Sequence, residues 1–173
     1  GGSEYFNYQS TQSSPSPSSG TNSNSYIGNS VPQVNADTAI QLYRKFTEAT
    51  EKRLISSSFS PGFGGLAITL AKMAIAGQMG MEIDLCKLPT EFNNRTDYVL
   101  FSESQSRIIV TIDPKKQNQF EKHFAEVPFA LLGKITDDQN FIIQGNQGGP
   151  SKTIIKTNIA NLDKYYRKTL DFL

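Results

Sequence analysis

Apolar positions are unevenly spread along the chain. Between Gln9 and Ser25 there is none: the stretch is Ser, Thr, Asn, Gln, Pro and Gly. Such a composition buries too little apolar surface to offset the entropy of ordering, and it predicts a flexible low-complexity insertion. The chain then divides into an N-terminal segment (1–8), the insertion (9–25) and one domain (26–173). After Pro32, Asp37 is placed as an N-cap. Ile40, Tyr43 and Phe46, or Leu42 with Phe46, recur at helical spacing, predicting a helix to about Arg53. Leu54 to Phe59 reads as a short strand, closed by the turn Pro61-Gly62-Phe63-Gly64-Gly65. Leu66 to Ala76 is apolar nearly all round and rich in helix formers, with Gly77 as a stop signal, so a buried helix is expected.

Further on, Met81 to Leu85 predicts a strand, Thr96 to Phe101 a short helix, Arg107 to Ile112 the clearest strand, and Lys116 to Phe124 a polar-faced helix. Phe129 to Ile135 and Asn140 to Gln144 predict two strands paired as a hairpin about Thr136 to Gln139. A strand from Thr153 to Lys156 leads into a last helix capped by Asn158, with Leu162, Tyr165 or Tyr166, and Leu170 on one side. This order of elements predicts an α+β fold, an α/β sandwich in which a mixed β-sheet is flanked by helices.

Charge changes the picture mainly by exclusion. Seventeen basic residues stand against 16 acidic ones, a net charge of +1, which gives no sequence-wide attraction to nucleic acid or to a membrane surface. The aromatic residues sit mostly at core spacing, without interleaved basic residues that would make a stacking platform. One cysteine, Cys86, makes no internal disulfide, and with one histidine, His123, no zinc cluster of usual spacing can be assembled. No apolar run approaches membrane-spanning length and no secretory signal pattern opens the chain, so a cytoplasmic location is expected and the Asn94-Arg95-Thr96 sequon reads as accidental. A chain that opens on Gly-Gly-Ser rather than Met is expected to be a fragment of a longer protein, a processed product or a remnant of cloning.

Two segments suggest chemistry. The glycines of Gly62-Phe63-Gly64-Gly65 lie between a strand and a helix, where backbone N–H groups and the helix N-terminus suit a phosphate or carboxylate; the same glycines would equally serve a tight turn with close packing. Ser102, Glu103, Ser104, Ser106 and Arg107 place three hydroxyls, a carboxylate and a guanidinium before a buried strand. Glu103 would suit Mg2+ and Arg107 a phosphate; alternatively, the loop caps a neighbouring helix and pairs Glu103 with Arg107 at the surface. His123 reads as a surface histidine with no nucleophile elbow beside it, and Cys86 as a buried, inert thiol. Lys164, Arg167 and Lys168 form the solvated face of the last helix.

Five segments in order also carry a family resemblance: Gly1-Gly2-Ser3-Glu4-Tyr5, Gly28 to Asn35, Gly64 to Gly77, Leu100-Phe101-Ser102-Glu103-Ser104-Gln105-Ser106-Arg107, and Leu132-Gly133-Lys134-Ile135-Thr136. Together they resemble the C-terminal domain of the synthetase subunit of phosphoribosylformylglycinamidine synthase, in the aminoimidazole-ribonucleotide synthetase-related superfamily. The resemblance implies a mixed sheet flanked by helices, packed against ATP-binding domains that precede it. It implies a ligase of purine biosynthesis that activates the amide of formylglycinamide ribonucleotide with ATP and Mg2+. Ammonia from a glutaminase subunit or domain then displaces phosphate. A homodimer is a further implication. By resemblance, Glu4, Gly62, Gly64, Gly65, Ser102, Glu103, Ser104, Ser106 and Arg107 are the candidate substrate- or nucleotide-binding residues; no catalytic residue is assigned.

One departure is informative. Where the family pattern reads HDVSDGGL, this chain has Phe59-Ser60-Pro61-Gly62-Phe63-Gly64-Gly65-Leu66, with Ser60 and Phe63 at the aspartate positions. Neither supplies the hard, charged oxygen that Mg2+ prefers, which argues against metal-assisted nucleotide binding at this turn. Two readings follow: a domain of an ATP-dependent ligase that is inactive alone, or a catalytically inactive binding or scaffold module of the same fold.

Overall fold

The computed structural model describes residues 3–13, 32–88, 95–146 and 149–168. Its elements run α1 (Glu4–Ser13), α2 (Ala36–Glu51), β1 (Ser57–Phe59), α3 (Gly65–Gly77), β2 (Gly80–Asp84), α4 (Thr96–Phe101), β3 (Ile109–Thr111), α5 (Gln117–His123), β4 (Gly133–Thr136), β5 (Asn140–Gly145), β6 (Lys152–Asn158) and α6 (Ile159–Lys168). Four strands form a mixed sheet in the order β4-β2-β5-β6, and β1 pairs with β3 in a separate two-stranded sheet. In the larger sheet only β2 and β5 are parallel, with Met81 opposite Phe141 and Ile83 opposite Ile143. The expected α+β fold, mixed strands flanked by helices, is present.

Two apolar clusters organise the molecule. The larger joins Leu66, Leu70 and Ala74 of α3 to Met81 and Ile83 of β2, Leu100 of α4, Phe141 and Ile143 of β5, and Ile159 of α6. The nearly uniform apolarity of α3 follows from this position, since the helix meets the sheet, α4 and α6 together. The smaller cluster packs Ala49, Leu54, Phe120, Phe124 and Val127 with Leu42, Val110 and Ile112, tying α2 and α5 to the two-stranded sheet. The glycine turn leads from the end of β1 into α3.

Several sequence expectations are corrected. The hairpin between the strands around 129–135 and 140–144 does not form, because β2 lies between β4 and β5 and pairs antiparallel with one and parallel with the other. Gly80 makes this possible: a Cβ there would run into the Asn140 carbonyl and sit 2.5 Å from Thr136 Oγ1. Spacing alone does not distinguish a turn that joins neighbouring strands from one that spans a third. The hairpin of this sheet is β5–β6, with a register shift between Ile143 and Gln144.

The first residues of the stretch expected as an insertion, Gln9 to Ser13, belong to α1; residues 14–25 lie outside the described residues. Asn35, not Asp37, caps α2, its Oδ1 accepting from Thr38 N at 3.0 Å while Asp37 sits in the first turn and complements the helix dipole. The strand expected over Leu54 to Phe59 is confined to Ser57–Phe59 because Leu54 turns into the smaller core. The one expected over Arg107 to Ile112 is confined to Ile109–Thr111 because Arg107 folds back on its own loop. In α6, Asn158 caps as expected, but Tyr165 and Tyr166 are exposed and the packed side is Ile159 and Leu162; Leu170 lies outside the described residues.

Candidate functional site

The site grows from the two glycines at the head of α3. Gly64 and Gly65 have φ of +81° and +64°, a region that L side chains adopt only with strain. At Gly65 the space is closed as well: a Cβ would lie 2.5 Å from the Ser102 carbonyl oxygen and 2.8 Å from that of Leu100. The glycines thus let the start of α3 press against the end of α4, which is the packing role. Gly62 has open space around it, and its carbonyl accepts from Gly65 N at 2.9 Å.

The turn also meets an anion, and it is the chain's own. Glu103 Oε1 accepts from Gly64 N at 2.9 Å and from Glu4 N, the first amide of α1, at 3.1 Å. An ionised carboxylate facing two backbone N–H groups forms charge-assisted bonds, stronger than neutral ones. Glu103 therefore caps a neighbouring helix, as one sequence alternative has it, but no ion pair with Arg107 accompanies this. Arg107 donates from Nε to the Ser104 carbonyl at 3.1 Å and from Nη2 to the Ser102 carbonyl. Burial lowers its pKa, since a low-dielectric surrounding disfavours the charged form. The guanidinium ties the loop to itself, a use that its short distance in sequence to both carbonyls makes natural.

The hydroxyls are engaged too. Ser102 Oγ and Ser104 Oγ lie 2.7 Å apart, Ser106 Oγ is 3.1 Å from the Tyr43 hydroxyl of α2, and Ser60 Oγ donates to the Arg107 carbonyl at 3.2 Å. Ser106 holds φ at +58°, a strained value for a serine. Phe63, at the second departed position, is 79% exposed. The structure thus gathers Glu4, Gly62, Gly64, Gly65, Ser102, Glu103, Ser104, Ser106 and Arg107 around one turn, with polar groups directed mainly at one another.

Mg2+ does not fit this set. Among the described residues no three His, Cys, Asp or Glu side chains come together as a metal group, and Glu103 Oε1 already meets two amides. A hard divalent cation requires several unspent oxygen donors.

A second constellation was missed by sequence reasoning. Asp97 accepts from Arg95 Nε at 2.9 Å and Nη2 at 2.7 Å, and from the Tyr5 hydroxyl at 2.9 Å. The Arg95 bonds hold the Asp97 carboxyl down at about 2, although burial opposes them. Burial, then the bond to Asp97, raises the Tyr5 hydroxyl above its ordinary value. Arg95 also stands 3.8 Å from the centre of the Tyr98 ring. Tyr5 stacks on Phe101 at 4.9 Å and Phe6 meets Tyr98 at 5.6 Å, so α1 rests on α4. The signal available was Arg95-Thr96-Asp97 at a helix start, which the sequon reading obscured.

Two other expectations are corrected. His123 is no surface residue: its side chain is 10% exposed, with Nε2 2.9 Å from the Lys45 carbonyl, because α5 packs on α2. Cys86 is exposed, because the strand ends at Asp84 and a helical turn capped by that aspartate carries the thiol outward.

Comparison with known proteins adds relatives to this geometry. A family model described as AIR synthase related protein, C-terminal domain, matches residues 8–146. The chain is 32% identical over 139 residues to phosphoribosylformylglycinamidine synthase subunit PurL of Methanocaldococcus jannaschii, covering 77% of this chain and 16% of that protein. To the subunit of the same name from Alkaliphilus metalliredigens it is 30% identical over 146 residues, covering 83% and 18%. The chain thus spans less than a fifth of the length of these curated relatives. Among solved structures, Thermotoga maritima PurL complexed with FGAR aligns with a TM-score of 0.66 at 18% identity, covering 77% of this chain and 22% of that one. E. coli HypE, a hydrogenase maturation protein, aligns at 0.54 with 16% identity, covering 66% and 39%. At these identities the structural likeness speaks for the fold.

Proposed function

The chain belongs to the AIR synthase-related C-terminal domain family, and from that premise we propose that it is the C-terminal domain of a PurL-like ligase of purine biosynthesis. In this reading it acts together with ATP-binding domains and a glutaminase that supplies ammonia, and converts formylglycinamide ribonucleotide to the amidine only in their company. Its own part is to supply the packed wall and the ordered 102–107 loop. A phosphoryl-transfer step needs charge stabilisation and exclusion of water, tasks that separate domains share.

The observation that carries the proposal is the internal use of the family-like loop: Glu103 faces two amides and Arg107 its own loop carbonyls. Charged groups so engaged suit a scaffold better than a metal–nucleotide centre. PurL of Thermotoga maritima has been solved with ATP, ADP and AMPPCP; in the present reading such binding falls to other parts of a complete enzyme. The test is an assay of amidine formation by the 173-residue chain with ATP, Mg2+, ammonia and formylglycinamide ribonucleotide. No turnover is expected, and robust turnover would overturn the proposal.

A second reading is a catalytically inactive binding or scaffold module of the same fold, favoured by Ser60 and Phe63 standing where the family pattern places aspartates. A PurL-like partner chain lacking this domain separates the two. Restoration of its activity by the present chain supports the ligase reading; stable binding without restored activity supports the inactive module.

A further inference from the structure

One carboxylate oxygen links two parts of the fold that are far apart in sequence. Glu103 Oε1 accepts from Glu4 N, 99 positions away, and from Gly64 N, 39 positions away. The first amide belongs to the N-terminus of α1 and the second to the turn that opens α3, both positions where helix geometry leaves N–H groups without an intrahelical partner. Around this shared atom, α1 is fastened to α4: the Tyr5 ring lies on Phe101, its hydroxyl reaches Asp97, and Phe6 meets Tyr98. The Glu103 carboxylate bridges the start of α1 and Gly64. On the other side, the turn is confined by two positive-φ glycines and the carbonyls of Leu100 and Ser102.

We propose that α1 is a strap whose closure is coupled to the glycine turn through Glu103. With the strap closed, Glu4 N helps fix the carboxylate rotamer that also caps Gly64. With the strap lifted, that side chain loses one of its two anchoring donors and a stacked ring on the adjacent Phe101, so the Gly64 bond weakens in the same event. Control of the N-terminal segment, whether by a partner or by the rest of a longer chain, would then reach the head of α3 without any ligand at the turn.

The coupling is tested by NMR amide exchange on the full 173-residue chain, comparing wild type with Tyr5→Ala, Tyr5→Phe and Glu103→Ala. Tyr5→Ala touches α4 and leaves Gly64 alone. The expected result is faster exchange of the Gly64 amide by several-fold, with an upfield shift of its proton as the charge-assisted bond weakens, while Ile83 and Ile143 in the central sheet keep their protection. Glu103→Ala is expected to speed exchange both at Gly64 and in α1. Should Tyr5→Ala disturb the central sheet, Tyr5→Phe is read in its place: it keeps the ring and removes only the hydroxyl, and a smaller change of the same sign at Gly64 is expected. A strap that loosens while Gly64 keeps its wild-type exchange and shift would overturn the proposal, as would Glu103→Ala acting at the turn but not on α1.

Discussion

Gly62, Gly64 and Gly65 look alike in the sequence and do different work. Gly65 combines a φ of +64° with backbone carbonyls where a Cβ would go, whereas Gly62 has nothing within 4 Å. Gly65→Ala should cost at least about 1–3 kcal/mol through the strained backbone alone, while Gly62→Ala should stay within about 0.5 kcal/mol; urea unfolding midpoints of the two variants check the contrast. Asp97 gives a second prediction at this scale. Its folded value of about 2 lies below the ordinary 3.8, so its contribution is present in full above the unfolded value and is lost as pH falls through the folded one. Arg95 is half exposed, so the effect on overall stability is small and salt-screened. The NMR signals of the Tyr5 and Phe6 rings should shift as pH is lowered from about 4 to about 2 and should do so far less in Asp97→Asn. Equal titration in both proteins would remove Asp97 as the anchor. Glu103 and Arg107 were legible in the sequence as chemically unusual neighbours. Their partners were not, because the amides that meet Glu103 come from remote parts of the chain and carry no side-chain signature.

Among elements, those with a strong apolar period were the most legible. The α3 helix, the strand after it and the cap of α6 follow directly from runs of Leu, Ile, Ala and Met and from Asn158. The α1 helix was invisible because its ten residues carry no apolar stripe; two rings at its start, Tyr5 and Phe6, dock it on α4. The β4–β5 pairing failed for a different reason. Strand length and turn spacing satisfied a hairpin, but the deeply buried β2 takes the place between them, through a glycine whose missing Cβ admits the Asn140 carbonyl. Ile143 sits fully buried on β5 against that central strand. Its replacement by alanine should cost about 2–5 kcal/mol, the range for a truncated core side chain, and thermal or chemical denaturation measures it. A loss below about 1 kcal/mol would place Ile143 outside a well-packed core.

For the whole molecule, family membership and the α+β fold were both legible, the first from five motif-like segments in order and the second from alternating helix and strand patterns. The geometry adds how the family-like turn is used here: Gly64 and Gly65 serve close packing, the Gly64 amide meets Glu103, and the positions of Ser60 and Phe63 offer no carboxylate. A glycine-rich strand-to-helix turn in isolation is compatible with an anion site or with packing; here the internal carboxylate and the neighbouring carbonyls favour packing. In the function proposed above, this chain by itself builds no Mg2+–nucleotide centre. Isothermal titration calorimetry of the chain with ADP, in the presence and absence of Mg2+, tests it most directly. No saturable heat that depends on Mg2+ is expected. Saturable, Mg2+-dependent binding of ADP that disappears in Glu103→Ala would contradict it.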